Sequence, residues 1–354
     1  SVIPDIQETV IMKVSFPIRK GTVSKLPYNK PTEKDEFHTF VLFLSKKLSY
    51  AMKKLVFFLC IVCMTTTVEA QEFIPLWKKG KMPNSRGLNL PDSIANERIY
   101  RVGTPGLYLF ETSRAENKGA AVIIVPGGGY ARLAYQISGF QLAKWFNTMG
   151  ITAFVLQHRL PQSPDVKTCY KAPLQDIQRA VRYIRAHADR WGIEPQKIGV
   201  MGSSAGAHLS ACPATLSDDW SQAGDTLDRI SFRPDFAILV SPVVSMDEIA
   251  HKGSRQNLLG KYDTPELREK FSCDKQVSTT TPPMFIVHAM NDPAVSCLNS
   301  LRLFDALKRN DIKGSSLHIF PAGKHSIALR NNPGSTDEWT NLAEQWLIET
   351  GFIR

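Results

Sequence analysis

A short glycine-rich stretch, Gly202-Ser203-Ser204-Ala205-Gly206, has the form G-x-S-x-G. It follows the apolar run Lys197–Met201 and precedes Ala207–Ala211, a run compatible with a helix. A strand, a sharp turn and a helix are the context in which this motif forms a nucleophile elbow, which lifts the central hydroxyl clear of the sheet. The motif therefore predicts Ser204 as a nucleophile. A glycine-rich loop with a helix-capping serine is the plain alternative.

A second glycine run follows another predicted strand. The β-branched run Val122–Val125 opens into Pro126-Gly127-Gly128-Gly129-Tyr130. Consecutive glycines let backbone N–H groups point at a ligand, as the anionic oxygen of an acyl-transfer intermediate requires. The run resembles the HGGG motif of lipases and esterases, with proline in place of the histidine. This match implies an oxyanion hole made by the N–H groups of Gly128, Gly129 and Ala205, and a plain flexible turn is the alternative.

A serine hydroxyl needs a base to remove its proton, and histidine is the usual one. Of the eight histidines, His325 lies in the Pro/Gly loop Phe320–Ser326, directly after the predicted strand Ser316–Phe320. Loops at the carboxyl ends of parallel strands are where such sheets build their sites, so His325 is the predicted base. His288 lies inside a strand run and His208 within the helix after the elbow, so both are interpreted as structural. The remaining histidines have similar structural interpretations: His38, His158, His187, His251 and His318.

The imidazole needs an orienting carboxylate. Asp292 follows the strand run Met284–Val287 and is the predicted partner, with an Asp-Pro turn as its plain alternative. Asp247 competes because it follows Phe236–Val240, but it lies further along the chain and no histidine loop follows its strand closely. The resulting order of serine, aspartate and histidine is that of the α/β-hydrolase triad.

Strand runs alternate with helical patterns along much of the chain. The predicted strands are Ile99–Val102, Leu107–Phe110, Ala121–Val125, Thr152–Leu156, Lys197–Met201, Phe236–Val240, Met284–His288 and Ser316–Phe320. Helical runs such as Leu174–Trp191 separate the later strands. This pattern predicts an α/β-hydrolase fold, with a mostly parallel eight-stranded sheet and helices on both faces. No helix separates the first two strand runs, so an antiparallel edge is expected there.

The amino-terminal part has the features of a targeting segment. Met52-Lys53-Lys54 precedes ten apolar residues, and small or apolar residues stand at 68 and 70. Residues 52–70 are therefore predicted as a signal peptide, which implies a secreted or periplasmic protein without stable membrane insertion. Residues 1–51 are interpreted as non-native or disordered upstream sequence, or as a long extension. Residues 71–97 are predicted as a lead-in and 98–354 as the catalytic domain.

Composition excludes several other functions. Residues 71–354 carry 33 basic and 27 acidic side chains without a long basic run, so no nucleic-acid partner is expected. Four cysteines lie in this part, without metal-ligand spacing: Cys169, Cys212, Cys273 and Cys297. No metal and no cofactor are therefore expected, and the disulfide pairing stays open. The polar stretch 245–277 is predicted to form a small cap that sets substrate specificity.

Roughly four fifths of the chain, from about Ile74, resembles small secreted α/β-hydrolase esterases of the acetyl-xylan esterase and feruloyl esterase type, often mislabelled as xylanases. The matching pieces are Ile74–Trp77, Val125–Tyr130, Val155–Pro161, Asp176–Arg185, Gly192–Gly206 and Asp292–Val295. The resemblance implies cleavage of acetyl or feruloyl esters on plant polysaccharide. The chain departs from this family at His158, usually tyrosine, and at Lys324, usually glycine.

Two other functions fit parts of the pattern. A serine peptidase of the prolyl oligopeptidase type shares the fold and triad, but residues 71–354 leave no room for a propeller domain, and Ser203 stands where an aromatic residue is common. A non-catalytic carbohydrate-binding protein on a hydrolase fold is the second, since fold alone does not establish activity. The oligomeric state is left open.

Overall fold

The computed structural model describes residues 37–44, 46, 47, 49, 50, 52, 54, 55, 71–325 and 327–354. The chain divides into two units, Ser1–Val68 and Glu69–Arg354. The described residues of the first unit are helical and exposed. Most of the predicted upstream segment and signal peptide, and the cleavage position, lie outside the described residues. Within the described ranges no helix has both the length and the apolar character needed to cross a membrane.

One eight-stranded sheet organises the second unit. In spatial order its strands are β1 (Phe73–Pro75), β4 (Gly106–Phe110), β6 (Thr152–Gln157), β5 (Ala121–Val125), β7 (Ile198–Ser203), β8 (Phe236–Val240), β9 (Met284–Ala289) and β10 (Ser316–Phe320). From β6 to β10 all neighbours are parallel, whereas β4 is antiparallel to both β1 and β6. The predicted mostly parallel sheet is confirmed.

The edge of the sheet differs from the prediction. The strand predicted at Ile99–Val102 forms as β3 (Arg98–Arg101), but it pairs with β2 (Ser93–Ala95) in a separate ribbon. The eighth strand of the main sheet is instead β1, from within the predicted lead-in 71–97. The predicted start of the catalytic domain at residue 98 is therefore wrong, because the main sheet already includes residues 73–75. At three residues ending in a proline, β1 is too short to show strand alternation in the sequence.

Seven α-helices lie among the described residues of this unit. They are α1 (Gln141–Thr148), α2 (Lys171–Ala186), α3 (Ala205–Thr215), α4 (Lys252–Leu259), α5 (Pro265–Lys270), α6 (Leu298–Arg309) and α7 (Trp339–Glu349). Single-turn helices occur at Gln136–Phe140, Ala188–Trp191, Thr226–Arg229, Gly260–Tyr262, Cys273–Lys275 and Gly334–Glu338. The predicted cap region, 245–277, contains α4 and α5.

The sheet is buried on both faces, as its central strands require. All five residues of β5 are fully buried. Ile123 belongs to a core cluster shared with α2 and α3, and its neighbour Ile124 to a second cluster shared with α1 and α7. This alternation follows from the two-residue period of a strand. Helices therefore cover both faces.

Strand order brings the predicted site segments to one rim. β5, which precedes the glycine run, lies beside β7, which precedes the elbow. β9 and β10, which precede the loops of Asp292 and His325, are also neighbours, and only β8 separates the two pairs. Because these strands are parallel, their carboxyl ends open on the same side of the sheet.

Candidate active site

Ser204 occupies a sharp turn between β7 and α3. Its backbone has φ 57° and ψ −123°, a strained conformation for a residue with a side chain. Its N–H donates to the carbonyl of Val240 at 2.9 Å, and its own carbonyl accepts from the N–H of His208 at 3.2 Å. A Cβ at Gly202 would lie 2.3 Å from the carbonyl oxygen of Gly206, so the motif glycine allows the backbone to fold this tightly. The turn has the strand–turn–helix geometry that the sequence predicts for a nucleophile elbow.

The structure brings the three predicted site side chains together. His325 Nδ1 lies 2.7 Å from Asp292 Oδ2, and His325 Nε2 lies 2.8 Å from Ser204 Oγ. A carboxylate only accepts hydrogen bonds, so Nδ1 carries the proton and Nε2 offers its lone pair to the serine hydroxyl. This is the tautomer that a general base requires. The His325 side chain is 27% exposed and that of Asp292 is 0% exposed, so the base faces the solvent side and the carboxylate is sealed beneath it.

Asp292 is held by donors to both of its oxygens. Oδ1 accepts from the backbone N–H groups of Ala294 and Val295, each at 2.9 Å. Oδ2 accepts from His325 and, at 3.1 Å, from His288 Nε2. Burial raises the pKa of the Asp292 carboxyl, but the hydrogen bonds from both histidines and the two amides lower that pKa further, well below its usual range. Asp292 is therefore ionised at neutral pH.

His288 is a second imidazole at the same carboxylate. Its Nε2 faces two acceptors, Asp292 Oδ2 and the Val295 carbonyl at 3.0 Å, so this nitrogen carries the proton. Its Nδ1 accepts from the Ser300 hydroxyl at 2.7 Å. The residue lies on β9, as the sequence predicts, but its contact with Asp292 was missed. The available signal was its position near the end of the strand that precedes the aspartate.

The predicted oxyanion donors lie beside the serine. A Cβ on Gly127 would be 3.5 Å from Ser204 Cβ, which shows how closely the glycine run approaches the elbow. Within residues 71–325 and 327–354, no acceptor takes the N–H of Gly128, Gly129 or Ala205. Gly128 and Gly129 have φ of +141° and +65°, where side chains are rarely tolerated. Three amide groups are thus available to a ligand.

The cap region braces the glycine run. Asn257 on α4 donates to the carbonyl of Gly129 at 2.8 Å. Tyr130, the next residue, places its hydroxyl 2.7 Å from His208 Nδ1, and His208 Nε2 lies 2.8 Å from the Phe271 carbonyl after α5. The bond from Asn257 and the chain from Tyr130 through His208 to Phe271 both connect the glycine run to the cap region. Sequence patterns gave no indication of either contact, because the partners are far apart in the chain.

Asp247 and Lys324, both singled out in the sequence, lie outside the hydrogen-bonded group of Ser204, His325 and Asp292. Asp247, the competing carboxylate, pairs with Lys275 Nζ at 2.6 Å, and in the described part of the chain it makes no hydrogen bond to His325. Lys324, one of the two departures from the family pattern described above, has φ 54°. Its N–H donates to Asn291 Oδ1 at 2.9 Å. A lysine therefore occupies a left-handed conformation that favours glycine.

A cavity of about 530 Å³ opens at Ser204 and His325. Its apolar wall comprises Ile137, Leu142, Ile327, Leu329 and Trp339. Its polar wall includes Arg98, Arg132, His251 and Asn257, and no described carboxylate lines it. Burial lowers the pKa of His251, and the nearby His325 adds to this effect, so His251 presents a neutral imidazole to the cavity. Two of these wall residues, His251 and Asn257, come from the predicted cap region 245–277.

One buried group elsewhere has the donor set of a metal site. In the described ranges, a ring nitrogen of His208 and the sulfurs of Cys212 and Cys273 lie within 4.8 Å of one another. The sequence predicts no metal, because these residues lack a metal-ligand spacing. The His208 Nδ1 atom already contacts the Tyr130 hydroxyl. We name these three residues the His208 cluster.

Comparisons with known proteins agree with the fold. Residues 107–307 match the BD-FAE family model. An acetylxylan esterase of Xylanibacter ruminicola is 38% identical over 238 residues, or 66% of this chain and 45% of that protein. Endo-1,4-beta-xylanase B of Butyrivibrio fibrisolvens is 36% identical over 211 residues, or 60% of this chain and 33% of that protein. The chain thus spans less than half the length of either relative.

A solved structure covers more of the chain. The acetyl ester-xyloside bifunctional hydrolase from Caldicellulosiruptor lactoaceticus is 34% identical, with a TM-score of 0.70. The similarity covers 82% of this chain and 100% of that one. The second structure, the Thermogutta terrifontis esterase 2 with propionate bound, is 25% identical with a TM-score of 0.58. These similarities confirm the predicted α/β-hydrolase fold and the resemblance to polysaccharide esterases.

Proposed function

This chain belongs to the BD-FAE family, and we propose that it is a serine-dependent carboxylic-ester hydrolase that acts on acetyl or feruloyl esters of plant polysaccharide. One observation carries the proposal: the Ser204 hydroxyl donates to an imidazole whose other nitrogen is bound to a buried carboxylate. The acetylxylan esterase and acetyl ester-xyloside hydrolase relatives support the choice of substrate. The chemistry is ester cleavage, although one relative has the name of a xylanase.

In the proposed mechanism each group has a role. Ser204 Oγ attacks the ester carbonyl carbon while His325 Nε2 removes the hydroxyl proton. Asp292 stabilises the imidazolium that forms, and the N–H groups of Gly128, Gly129 and Ala205 stabilise the oxygen that becomes negative. The tetrahedral intermediate then collapses: the bond from the carbonyl carbon to the alcohol oxygen breaks, His325 gives its proton to that oxygen, and the acyl group stays on Ser204. Water, deprotonated by the same imidazole, then attacks the acyl carbon and releases the acid and the free serine.

The cavity fits an ester with a carbohydrate alcohol. Its apolar wall suits the acyl group, which has few hydrogen-bonding atoms. The polar wall, with Arg132, His251 and Asn257, presents donors that suit sugar hydroxyls. Both kinds of residue line the cavity that Ser204 also lines, so an ester bound there would contact both.

We also propose that the protein is exported. Support comes from the basic start and apolar run of residues 52–70, which lie mostly outside the described residues. Expression of the full chain in a bacterial host tests this proposal, with the mass of the protein in the periplasm and medium as the readout. We expect an amino terminus at Gln71. Retention of an uncleaved chain in the cytoplasm would contradict it.

The decisive test of the activity is Ser204→Ala, assayed on p-nitrophenyl acetate. Loss of a triad nucleophile lowers kcat by about 10⁴–10⁶-fold. Ser203→Ala is the matched control, because this neighbouring hydroxyl makes no hydrogen bond within the described residues. Activity of Ser204→Ala within tenfold of the unaltered protein would reject the nucleophile.

The substrate class needs a separate comparison. Initial rates on acetylated xylan and on methyl ferulate identify the preferred acyl group. Chromogenic dipeptides test the peptidase alternative, and labelling by a fluorophosphonate probe tests the non-catalytic one. Turnover of peptides but not esters would overturn the esterase proposal, as would failure of Ser204 to react with the probe.

A further inference from the structure

Two cysteines of the His208 cluster face each other at the junction of the cap region with the core. Cys212 lies on α3, the helix that follows Ser204, and Cys273 follows α5. They are 1% and 0% exposed. Their sulfurs lie within 4.8 Å of one another. The backbone N–H of Cys273 donates to the Val244 carbonyl at 3.1 Å, which fixes the position of the cysteine against the core.

The histidine of the cluster is already satisfied without a metal. The Phe271 carbonyl can only accept, so His208 Nε2 carries the proton of that bond. The lone pair on Nδ1 therefore accepts from the Tyr130 hydroxyl, 2.7 Å away, whereas the Cys212 sulfur is 3.8 Å away. A metal bound at Nδ1 would have to displace the Tyr130 hydroxyl. The two sulfurs lie beside this ring and within 4.8 Å of each other.

The two thiols are also electronically unequal. A hydrogen bond from Cys212 lowers the pKa of the Cys273 thiol, although burial opposes this. Burial, followed by the contact with Cys273, raises the pKa of the Cys212 thiol. The thiolate is the form that attacks a disulfide. In the folded arrangement Cys273 is therefore the more readily deprotonated of the two thiols.

We propose that Cys212 and Cys273 form a disulfide bond that ties the cap region to the helix following the nucleophile. The oxidant is a disulfide, either oxidised glutathione or a disulfide oxidoreductase of the export compartment. The Cys273 thiolate attacks one sulfur of that disulfide and releases a thiolate, and the Cys212 thiolate then attacks Cys273 and releases the second. The cysteines lose two protons and two electrons, and the oxidant is reduced to two thiols. This proposal goes beyond the esterase function and does not depend on it.

The position of the bond gives it a structural consequence. Cys273 belongs to the same cap region as Asn257, which holds the Gly129 carbonyl. Phe271, two residues before Cys273, holds His208 and through it Tyr130. A covalent tie at Cys273 therefore limits how far the cap region can separate from the glycine run.

Peptide mapping of the full chain tests the bond directly. The protein is refolded with reduced and oxidised glutathione, free thiols are alkylated, and the chain is digested with trypsin. The cleavage pattern places Cys212 in peptide 198–229 and Cys273 in peptide 271–275. We expect these two peptides to be linked and to separate on reduction. Recovery of both peptides in alkylated form after oxidation would overturn the proposal, as would co-purification of about one metal ion per chain that protects both thiols.

Thermal unfolding gives a second readout. Reduction should lower the Tm by about 5–10 °C, the scale of a disulfide that closes a long loop in a domain of this size. Cys212→Ala with Cys273→Ala should remove this dependence on reductant, and Cys297→Ser, the matched control, should keep it. An equal response of all three proteins to reductant would contradict the proposal. Should the double variant fail to fold, the mapping of the unaltered chain still decides.

Discussion

Two buried aspartates of this protein have equal exposure and different partners. The side chains of Asp176 and Asp292 are both 0% exposed. Asp176, on α2, accepts from Trp77 Nε1 at 2.8 Å and from Arg159 through its backbone N–H and its guanidinium, each also at 2.8 Å. Asp292 accepts instead from two imidazoles and two backbone amides.

The difference lies in whether the partner charge can change. A guanidinium stays protonated at any pH that the protein meets, so the charge of Asp176 is neutralised permanently. That pair ties the segment of β1, the loop after β6 and α2 together. The imidazole beside Asp292 starts neutral and gains a proton during the proposed reaction. Burial of a carboxylate therefore indicates nothing about its role until the partner is known.

Asp292→Asn should break the catalytic side of this comparison most strongly. An amide at this position reverses the donor and acceptor roles that fix the imidazole tautomer, and we expect kcat to fall by about 10⁴-fold. Steady-state kinetics on p-nitrophenyl acetate measure the effect. Asp247→Asn is the matched control, since Asp247 contacts Lys275 and not His325. A loss smaller than tenfold would mean that the carboxylate does not act through the imidazole.

Asp176→Asn should lower the stability of the fold and leave the proposed catalytic group intact. Removal of one partner leaves Arg159 buried without its counter-charge, which costs about 3–5 kcal/mol of unfolding free energy. Urea unfolding followed by tryptophan fluorescence measures this loss. The kcat per folded molecule, determined by active-site titration, should stay near that of the unaltered protein. An unchanged free energy of unfolding together with a lowered kcat would show that Asp176 acts in catalysis rather than in stability.

His288 variants sharpen the comparison on the side of Asp292. His288→Ala removes one donor to the ionised carboxylate, and loss of such a bond is worth about 1.5–3 kcal/mol. We expect kcat to fall by about 10–100-fold, with little change in KM. His288→Gln keeps a donor in this region and should recover part of the loss. Equal defects in the two variants would indicate that His288 contributes only to packing.

The same variant has a predicted effect on acid stability. The pKa of Asp292 is lower in the folded than in the unfolded state, so its ionisation stabilises the fold above the unfolded pKa of about 3.9. That contribution is lost as the pH falls below this value. His288→Ala should raise the folded pKa, which makes the unfolding free energy smaller at neutral pH and its decrease in acid shallower. Urea titrations between about pH 5 and about pH 2, where the unfolded chain takes up a proton at Asp292 before the folded chain does, measure the slope. An unchanged slope would contradict the assignment.

A surface carboxylate supplies the smallest effect. Asp305 pairs with Arg309 at 2.9 Å on α6, with side chains 58% and 76% exposed. Asp305→Asn should cost only about 0.3–0.5 kcal/mol of unfolding free energy, because solvent and salt screen the pair. Urea unfolding at low and high salt measures it. A loss of unfolding free energy as large as that of Asp176→Asn would show that burial does not determine how much an ion pair contributes to stability.

The sequence was sufficient for the site residues that follow strands. Ser204, His325 and Asp292 each lie in a loop just after an apolar run, and parallel strands bring such loops to one rim. It was insufficient for β1, whose three residues show no alternation. It also missed Asn257 at the glycine run, because a hydrogen bond between residues far apart in the chain leaves no local pattern.

The bond from Asn257 to the Gly129 carbonyl makes the cap region an unsuitable module for exchange. The helix that lines the cavity also holds the backbone that would face the reacting oxygen in the proposed mechanism. Replacing this helix to change substrate preference should therefore change turnover at the same time. A change of substrate preference through this helix would need an amide donor at position 257, so that the Gly129 carbonyl stays bound.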